Sequence, residues 1–356
     1  MNLSLLPNPL FLRPVAVALL CAWAGLAAAA DPVGDPNPTH LFVLEEGQTV
    51  VGTLQRVSAR YEDTLPGIGR MFDLGFDEIT RANPNVDTWL PGEGAEILLP
   101  TQFVLPDAPR DGLVLNVAAM RLYYFAPENE DGLRTLYTHP IGIGRVGWAT
   151  PLGTTRITTK AKDPAWYVPK SILKEHAEAG DPLPAVVPPG PDNPLGQHAM
   201  KLAMPGYLLH GTNKPAGVGM RVSHGCIRLY PEDIASLFEM VPKGTPVHIV
   251  EQPYLVGWHG NRLLFSAHVP LEESGGDWLA ALELIDRNVQ SPPPGIESVD
   301  IDWRRVARIA REGQGVAYPI ETGTPVPSEW LAASPLVRTE AVANYRPPEE
   351  EDSPEG

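Results

Sequence analysis

Prolines occur along almost the whole of this chain, and they limit the length of any helix that it can form. The sequence has 40 prolines and 33 glycines among 356 residues. A proline inside a helix removes a hydrogen bond and clashes with the preceding turn. The composition therefore favours short strands joined by ordered loops over a helical bundle, and the length allows two or three domains.

The first 30 residues have the order of a secretory signal peptide. One positive charge, Arg13, precedes an apolar run at residues 15–26, and the alanines at 27–30 supply an Ala-x-Ala cleavage site. The run is shorter than the roughly 20 apolar residues that span a bilayer. We therefore expect a cleaved signal peptide and export to the periplasm; an uncleaved membrane anchor is the alternative.

The charge balance excludes two classes of partner. The formal net charge is −16, so the chain lacks the basic surface that nucleic acids or anionic membranes attract. We expect no nucleic-acid partner.

Residues 40–105 have the pattern of a small module. An extended stretch at 41–44 opens it, a helix at 76–84 ends at a proline, and a strand at 97–100 closes it. This order, with Asn83-Pro84 and Leu90-Pro91-Gly92, resembles a LysM peptidoglycan-binding module. A spacer domain without glycan binding is the alternative.

Residues 110–252 form the predicted main domain, and its pattern is β-rich. A hairpin is predicted at 113–117 and 121–125, and further strands at 135–143, 154–160 and 247–250. Pro231, followed by two acidic residues, predicts a helix that extends to about Val241. A proline-rich loop at 181–194 is expected beside the site, where it either shapes access or only connects.

Residues 253–356 form a C-terminal extension with a weaker pattern. Amphipathic helices are predicted at 277–288 and 301–312. The acidic, proline-rich end at 347–356 is predicted to be disordered.

The chemistry centres on Cys226, which is the only cysteine after residue 30. A lone thiol in an exported protein has no internal disulfide partner and is open to oxidation. Beside histidines it is a candidate nucleophile, because an imidazole within hydrogen-bond reach makes it a thiolate. A buried, inert thiol and a zinc site with His224 are the alternatives.

Two histidines are candidates for the base. His224 is two residues from Cys226, and a bend at Gly225 would be needed for direct contact. His210 ends a β-rich run, and a hairpin-like excursion over residues 211–222 would return the chain beside it, so His210 is favoured. Backbone amides of Gly225 and Cys226 are expected to bind an oxyanion, and Arg228 a substrate carboxylate.

The residues around His210 and Cys226 resemble the motifs of a known enzyme family. His210-Gly211-Thr212 and the run Ser223-His224-Gly225-Cys226-Ile227-Arg228-Leu229 resemble the signature of the L,D-transpeptidase (YkuD-type) family, and the segment 150–153 (TPLG) resembles its Thr-Pro-x-Gly element. Residues 40–252 are similar to the Gram-negative periplasmic branch, which joins a LysM-like module to this domain.

The resemblance implies a mainly β fold, with a β-sandwich-like catalytic domain, a few helices and a small LysM-like α/β module. It implies that Cys226 attacks the bond between diaminopimelate and the terminal D-alanine of a peptidoglycan tetrapeptide. His210 would act as base, and Ser223, His224, Gly225 and Arg228 would bind substrate. No cofactor or metal is expected.

Several acceptors and two rival functions stay open. The acceptor would be a lysine of the outer-membrane (Braun) lipoprotein or a second diaminopimelate. Peptidoglycan is the expected partner, with the lipoprotein and a periplasmic thiol reductase as further candidates. An L,D-carboxypeptidase or other periplasmic Cys/His peptidase, in which water is the acceptor, and a non-catalytic wall-binding protein are the rival functions.

Overall fold

The computed structural model describes residues 39–338. The predicted signal peptide and the predicted disordered end lie outside this range. The described residues belong to one compact unit, and their strands form one nine-stranded sheet and five smaller sheets. The mainly β fold class is therefore confirmed. Within residues 39–338, no helix combines the length and apolar character needed to cross a bilayer.

The N-terminal elements form a small helical layer between short strands. In chain order they are β1 (Leu41–Leu44), β2 (Val50–Gly52), β3 (Gln55–Ser58), α1 (Leu65–Met71), α2 (Phe76–Ala82), β4 (Glu96–Leu99) and β5 (Gln102–Val104). Strands β3 and β4 pair antiparallel around the two helices, which makes a βααβ unit at residues 55–99. Helix α2 ends before Pro84 as predicted, and Asn83 joins it to β4 through two hydrogen bonds to Leu98, of 2.8 and 2.9 Å.

The central elements carry the motifs around His210 and Cys226. They are β6 (Gly112–Asn116), β7 (Arg121–Phe125), β8 (Arg134–Pro140), β9 (Ile143–Gly144), β10 (Gly153–Lys162), β11 (Trp166–Tyr167), α3 (Lys170–Glu178), β12 (Val186–Val187), β13 (His198–Leu202), β14 (Leu208–His210), β15 (Arg221–Ser223), β16 (Ile227–Arg228), α4 (Pro231–Met240) and β17 (Pro246–Val250). The large sheet has the order β1-β8-β7-β6-β17-β10-β13-β14-β16. The predicted hairpin, the helix at Pro231 and the last strand are confirmed.

Strand β1 does not open the βααβ unit, contrary to the expectation for the stretch at 41–44. It pairs antiparallel with β8, from Leu41 opposite Tyr137 to Leu44 opposite Arg134. The outer edge of β8 would otherwise expose unpaired backbone groups. The long-range edge therefore determines where this segment pairs, and its local sequence does not.

The two faces of the large sheet bury different cores. Along β6, Leu113 and Leu115 face a core shared with α4, whereas Val114 faces the core of the βααβ unit. Strand side chains alternate between faces, so the run Leu113-Val114-Leu115 is apolar throughout because both faces of the sheet are covered. The βααβ unit therefore packs directly on the sheet that carries His210 and leads to Cys226.

The C-terminal extension is folded. Its elements are β18 (Tyr254–His259), β19 (Arg262–His268), α5 (Trp278–Gln290), α6 (Trp303–Glu312), β20 (Gln314–Pro319), α7 (Pro327–Ala332) and β21 (Leu336–Val337). Both predicted helices are confirmed, and each begins after an aspartate whose side chain accepts a hydrogen bond from the first turn. Strand β21 pairs parallel to β3, so the extension adds a strand to the βααβ unit.

Candidate active site

The two sequence motifs meet on adjacent strands. Strands β14 and β16 are parallel, with Leu209 opposite Ile227 and His210 opposite Arg228. Leu209 and Ile227 are buried in the core, so His210, Arg228 and Cys226 lie on the opposite face. The chain thus returns beside His210, as predicted, although it returns as a parallel crossover and not as a hairpin.

These three side chains line one groove of about 880 Å³. The rest of its wall includes Trp148, Tyr207 and residues from the region of α3 and the β11–β12 hairpin. The predicted proline-rich loop contains β12 and contributes Leu183, Asp192 and other residues to this wall. Helix α3 was not predicted, because Ile172 is its only buried residue and its apolar pattern is correspondingly weak.

The environment of Cys226 favours the protonated form of its thiol. Burial raises the pKa of Cys226, while a backbone hydrogen bond from Leu208 and the charge of Arg228 lower it only in part. The Sγ atom lies 3.6 Å from the carbonyl oxygen of Gly206, to which the thiol donates. A thiol that donates a hydrogen bond to a carbonyl is a neutral thiol.

His210 is also neutral. Burial, and then the charge of Arg228, lower the pKa of His210 to about 4. Its Nδ1 atom lies 2.6 Å from the carbonyl oxygen of Gly211. Since a carbonyl only accepts, Nδ1 carries the proton and Nε2 is free to act as a base. The sequence led us to expect a thiolate at rest; burial of both groups favours a neutral pair instead.

Two hydroxyl side chains make hydrogen bonds to the backbone around Cys226. Ser223 is buried; its Oγ donates to the Cys226 carbonyl at 2.6 Å and accepts from the Gly225 amide at 3.1 Å. Thr150, from the TPLG segment, donates to the Gly225 carbonyl at 3.0 Å. The Gly225 amide is therefore not free to bind an oxyanion as expected, which leaves the Cys226 amide of the predicted pair.

The conformation of Gly225 explains why a glycine is needed there. Its φ is +98°, and a Cβ atom would lie 2.9 Å from the ring of Tyr207. A bend is present at Gly225, and side chains are excluded there by both strain and space.

His224 is engaged away from the thiol. Its Nε2 atom lies 3.1 Å from Oε2 of Glu175 and 3.1 Å from the Arg145 guanidinium, and its ring meets Trp148 edge-on. Glu175 also pairs with Arg145, and that hydrogen bond is the main cause of its lowered pKa. Arg145, Trp148 and Glu175 were missed by sequence reasoning because they are distant from the motif in the chain.

Arg228 has an unused hydrogen-bond donor. Its Nε atom is buried and has no hydrogen-bond partner within residues 39–338. Burial lowers its pKa, although an arginine stays charged at neutral pH. A partly buried cation in the groove is a suitable contact for a substrate carboxylate.

A zinc site at the motif is not supported by the described residues. Within residues 39–338, the one group of three or more candidate metal ligands is Asp73, His139 and Asp233, and it contains neither Cys226 nor His224. In that group, Nδ1 of His139 lies 3.0 Å from Asp73 and 3.3 Å from Asp233. Both carboxylates raise the pKa of His139, against the effect of burial, so the imidazole is a cation that both carboxylates contact.

A thiol and an imidazole on adjacent strands of a mainly β domain are the arrangement that a cysteine-dependent enzyme requires. Residues 110–249 match the YkuD family, described as the L,D-transpeptidase catalytic domain. The probable L,D-transpeptidase YcfS of Escherichia coli is 39% identical over 268 residues, which are 74% of this chain and 79% of that protein.

Two further relatives from Escherichia coli are also named as probable L,D-transpeptidases. The probable L,D-transpeptidase YbiS is 41% identical over 235 residues, 65% of this chain and 73% of that protein. The probable L,D-transpeptidase ErfK/SrfK is 37% identical over 318 residues, 86% of this chain and 98% of that protein. The chain belongs to the L,D-transpeptidase family, and it is a transpeptidase enzyme that acts on peptidoglycan.

Proposed function

We propose that Cys226 is the nucleophile and His210 the base of a periplasmic enzyme that cleaves tetrapeptide stems at the bond between diaminopimelate and D-alanine. One observation carries this proposal: Cys226, His210 and Arg228 share one face of the β14–β16 pair and open into one groove.

The neutral resting pair implies a concerted first step. Nε2 of His210 takes the thiol proton as Sγ forms its bond to the diaminopimelate carbonyl, so no free thiolate is needed beforehand. The Cys226 amide would stabilise the oxyanion. The imidazolium then gives its proton to the D-alanine nitrogen, D-alanine leaves, and a thioester remains on Cys226.

The second step uses the same base. An acceptor amine attacks the thioester, His210 takes the proton from its nitrogen, and the returning proton restores the thiol as the new amide forms. The acceptor would be a lipoprotein lysine or a second diaminopimelate; water would give an L,D-carboxypeptidase. Arg228 would bind a stem carboxylate, while Ser223 and Gly225 hold Cys226 in place and His224 shapes the rim.

The βααβ unit offers a surface for glycan binding. Its loops expose Tyr61, Trp89 and Leu90, with 83%, 57% and 78% of their surface accessible. Aromatic faces on exposed loops suit sugar rings, so we place LysM-like wall binding there. Loss of retention on purified wall material in a Tyr61→Ala, Trp89→Ala variant that keeps activity on soluble stems would support this site; full retention would contradict it.

Mass spectrometry of products from disaccharide-tetrapeptide fragments tests the enzymatic proposal. We expect loss of D-alanine with wild type, a fragment joined to a lysine of the lipoprotein when that lipoprotein is added, and dimers through diaminopimelate when it is not. Tripeptide as the only product in both reactions would indicate a carboxypeptidase. No change with any acceptor would contradict the proposal.

Export can be tested separately. We expect periplasmic protein to begin at Asp31. There the unpaired thiol would require a reductase after oxidation, and recovery of peroxide-treated enzyme by a periplasmic thiol reductase would support that partner. Full-length protein retained in the membrane fraction would support the anchor instead.

A further inference from the structure

The turn between α1 and α2 contacts the segment that connects the two catalytic strands. This connecting segment, residues 211–222, begins directly after His210 and ends just before Ser223. The amides of Phe76 and Asp77 donate to the carbonyls of Val218 and Gly219, at 3.0 and 3.1 Å. The βααβ unit therefore makes backbone hydrogen bonds to the loop of the active site.

The two backbones touch without intervening side chains. A Cβ atom on Gly75 would lie 2.7 Å from the Cα of Gly219, and one on Gly219 would lie 2.4 Å from the Cα of Gly75. Such distances are far inside normal contact. Gly219 also has a φ of +79°, whereas Gly75, at −79°, has a conformation that alanine adopts freely. The closest atom to a Cβ on Gly75 thus belongs to the connecting segment, and Pro140 Cβ, at 3.2 Å, is the next closest.

Charged groups hold the same turn against the helix that follows Cys226. Asp73 in the turn and Asp233 on α4 both contact His139 from the sheet, at 3.0 and 3.3 Å, and all three are buried. Beside them, Arg70 makes two hydrogen bonds to Glu232, of 2.8 and 2.9 Å. A buried group of this kind tolerates little displacement, because moving one partner leaves a buried charge uncompensated.

The connecting segment also contacts the active-site groove, at Arg228. Gly217 lies beside the guanidinium of Arg228, where a Cβ would be 3.3 Å from its Nη1. The amide of Ile143 donates to the Met220 carbonyl at 3.0 Å. The segment thus has the βααβ unit on one side and Arg228 on the other.

We propose that the α1–α2 turn is a positioning element of the active site: by holding residues 218 and 219, it sets the placement of the strands that carry His210 and Cys226. This rests on the proposed roles of those two residues. The βααβ unit would then be needed for the chemical step on soluble substrates, apart from any wall binding.

Gly75→Ala in the full chain tests this with a single methyl group. The substrate is a soluble disaccharide-tetrapeptide, and kcat and KM for D-alanine release are normalised to Cys226 thiols that react with a labelling reagent. We expect kcat to fall 10- to 100-fold with KM little changed, since small displacements of reacting groups cost this much.

Gly67→Ala is the matched control. It is the same substitution in α1, where the nearest atom to the added methyl group is Thr64 Oγ1 of the same unit. It should keep wild-type kcat.

A second variant guards against a general folding defect. Asp73→Asn keeps the side-chain shape, and asparagine suits the φ of +56° at this position, but it removes one buried charge. Assayed well below its melting temperature, it should also lose kcat while its far-ultraviolet circular dichroism stays that of wild type. Wild-type kcat in either folded variant would overturn the proposal. An inactive wild type would instead refute the proposed function, so the two failures are distinct.

Discussion

Nδ1 of His210 lies 2.6 Å from the carbonyl oxygen of Gly211, the next residue in the chain. This contact assigns the imidazole tautomer, because only a protonated nitrogen can bond to a carbonyl. Nε2 is thereby left as the one basic position of the ring. The hydrogen bond to the Gly211 carbonyl therefore orients the His210 ring. Within residues 39–338, no acidic side chain makes a hydrogen bond to this ring.

Cys226→Ala should abolish D-alanine release while the fold stays intact, because it removes the only thiol after residue 30. Product formation by mass spectrometry and far-ultraviolet circular dichroism would measure the two effects. Turnover above a few per cent of wild type would disprove the nucleophile. Carbapenems, as acyl donors to the family's thiol, should add to wild type and not to this variant.

His210→Ala should reduce kcat by roughly 10²- to 10⁴-fold, which is the usual contribution of a general base. His224→Ala should cost much less, because His224 contacts Glu175 and Arg145 and shapes the rim. Steady-state kinetics of the two variants under one set of conditions decide between them. A larger loss in the His224 variant would reverse the assigned roles.

Alkylation of Cys226 should be slow at neutral pH and should rise as the pH increases. Burial raises the pKa of the thiol and lowers that of His210 to about 4, so a thiolate–imidazolium pair is not the resting state. Iodoacetamide rates between pH 5 and 10 measure this. A plateau of fast alkylation below pH 7 would show that the ion pair exists after all.

Arg228→Gln should lower kcat/KM for tetrapeptide about 10- to 100-fold, because a hydrogen bond to a charged group contributes about 1.5–3 kcal/mol. The loss should be smaller for a stem whose carboxylates are amidated, since that substrate offers less charge to bind. Equal losses on both substrates would indicate that Arg228 acts only on the structure of the groove. Arg228→Lys, which keeps the charge, is the matched comparison.

The stabilising effect of His139 should disappear as the pH rises. Asp233 and Asp73 raise the folded-state pKa of His139 to about 10, against the effect of burial. A histidine whose pKa is raised by folding stabilises the folded protein fully at a pH below its unfolded-state pKa, which is near 6.5. This stabilisation is lost as the pH rises through the folded-state pKa. The free energy of unfolding should therefore fall by up to about 1.4 kcal/mol per pH unit in this window.

His139→Gln removes this ionisation from the folded protein, and with it the charge that lowers the pKa of Asp73 and of Asp233. Denaturant unfolding at pH 6.5 and 9.5 should show a large difference between wild type and variant at the lower pH and a small one at the higher. A difference independent of pH would show that His139 is buried as a neutral ring.

Local sequence was sufficient for the elements whose determinants are close together in the chain. The hairpin β6–β7 follows from its two β-rich runs, α4 from Pro231 and the acids after it, and α5 and α6 from their apolar periodicity. Cys226 and His210 could also be chosen as candidates from the sequence, because a lone thiol and a histidine-containing motif can be read from it directly, and the structure places both in one groove.

Contacts between distant segments decided what the sequence by itself did not. The pairing of β1 with β8, the contact of Glu175 with His224 and the fit of Gly75 against Gly219 each join residues far apart in the chain. The neutral state of Cys226 and His210 has the same origin. A pKa depends on how much water the surrounding fold removes and which charges it brings near, and burial exists only once the tertiary structure has formed.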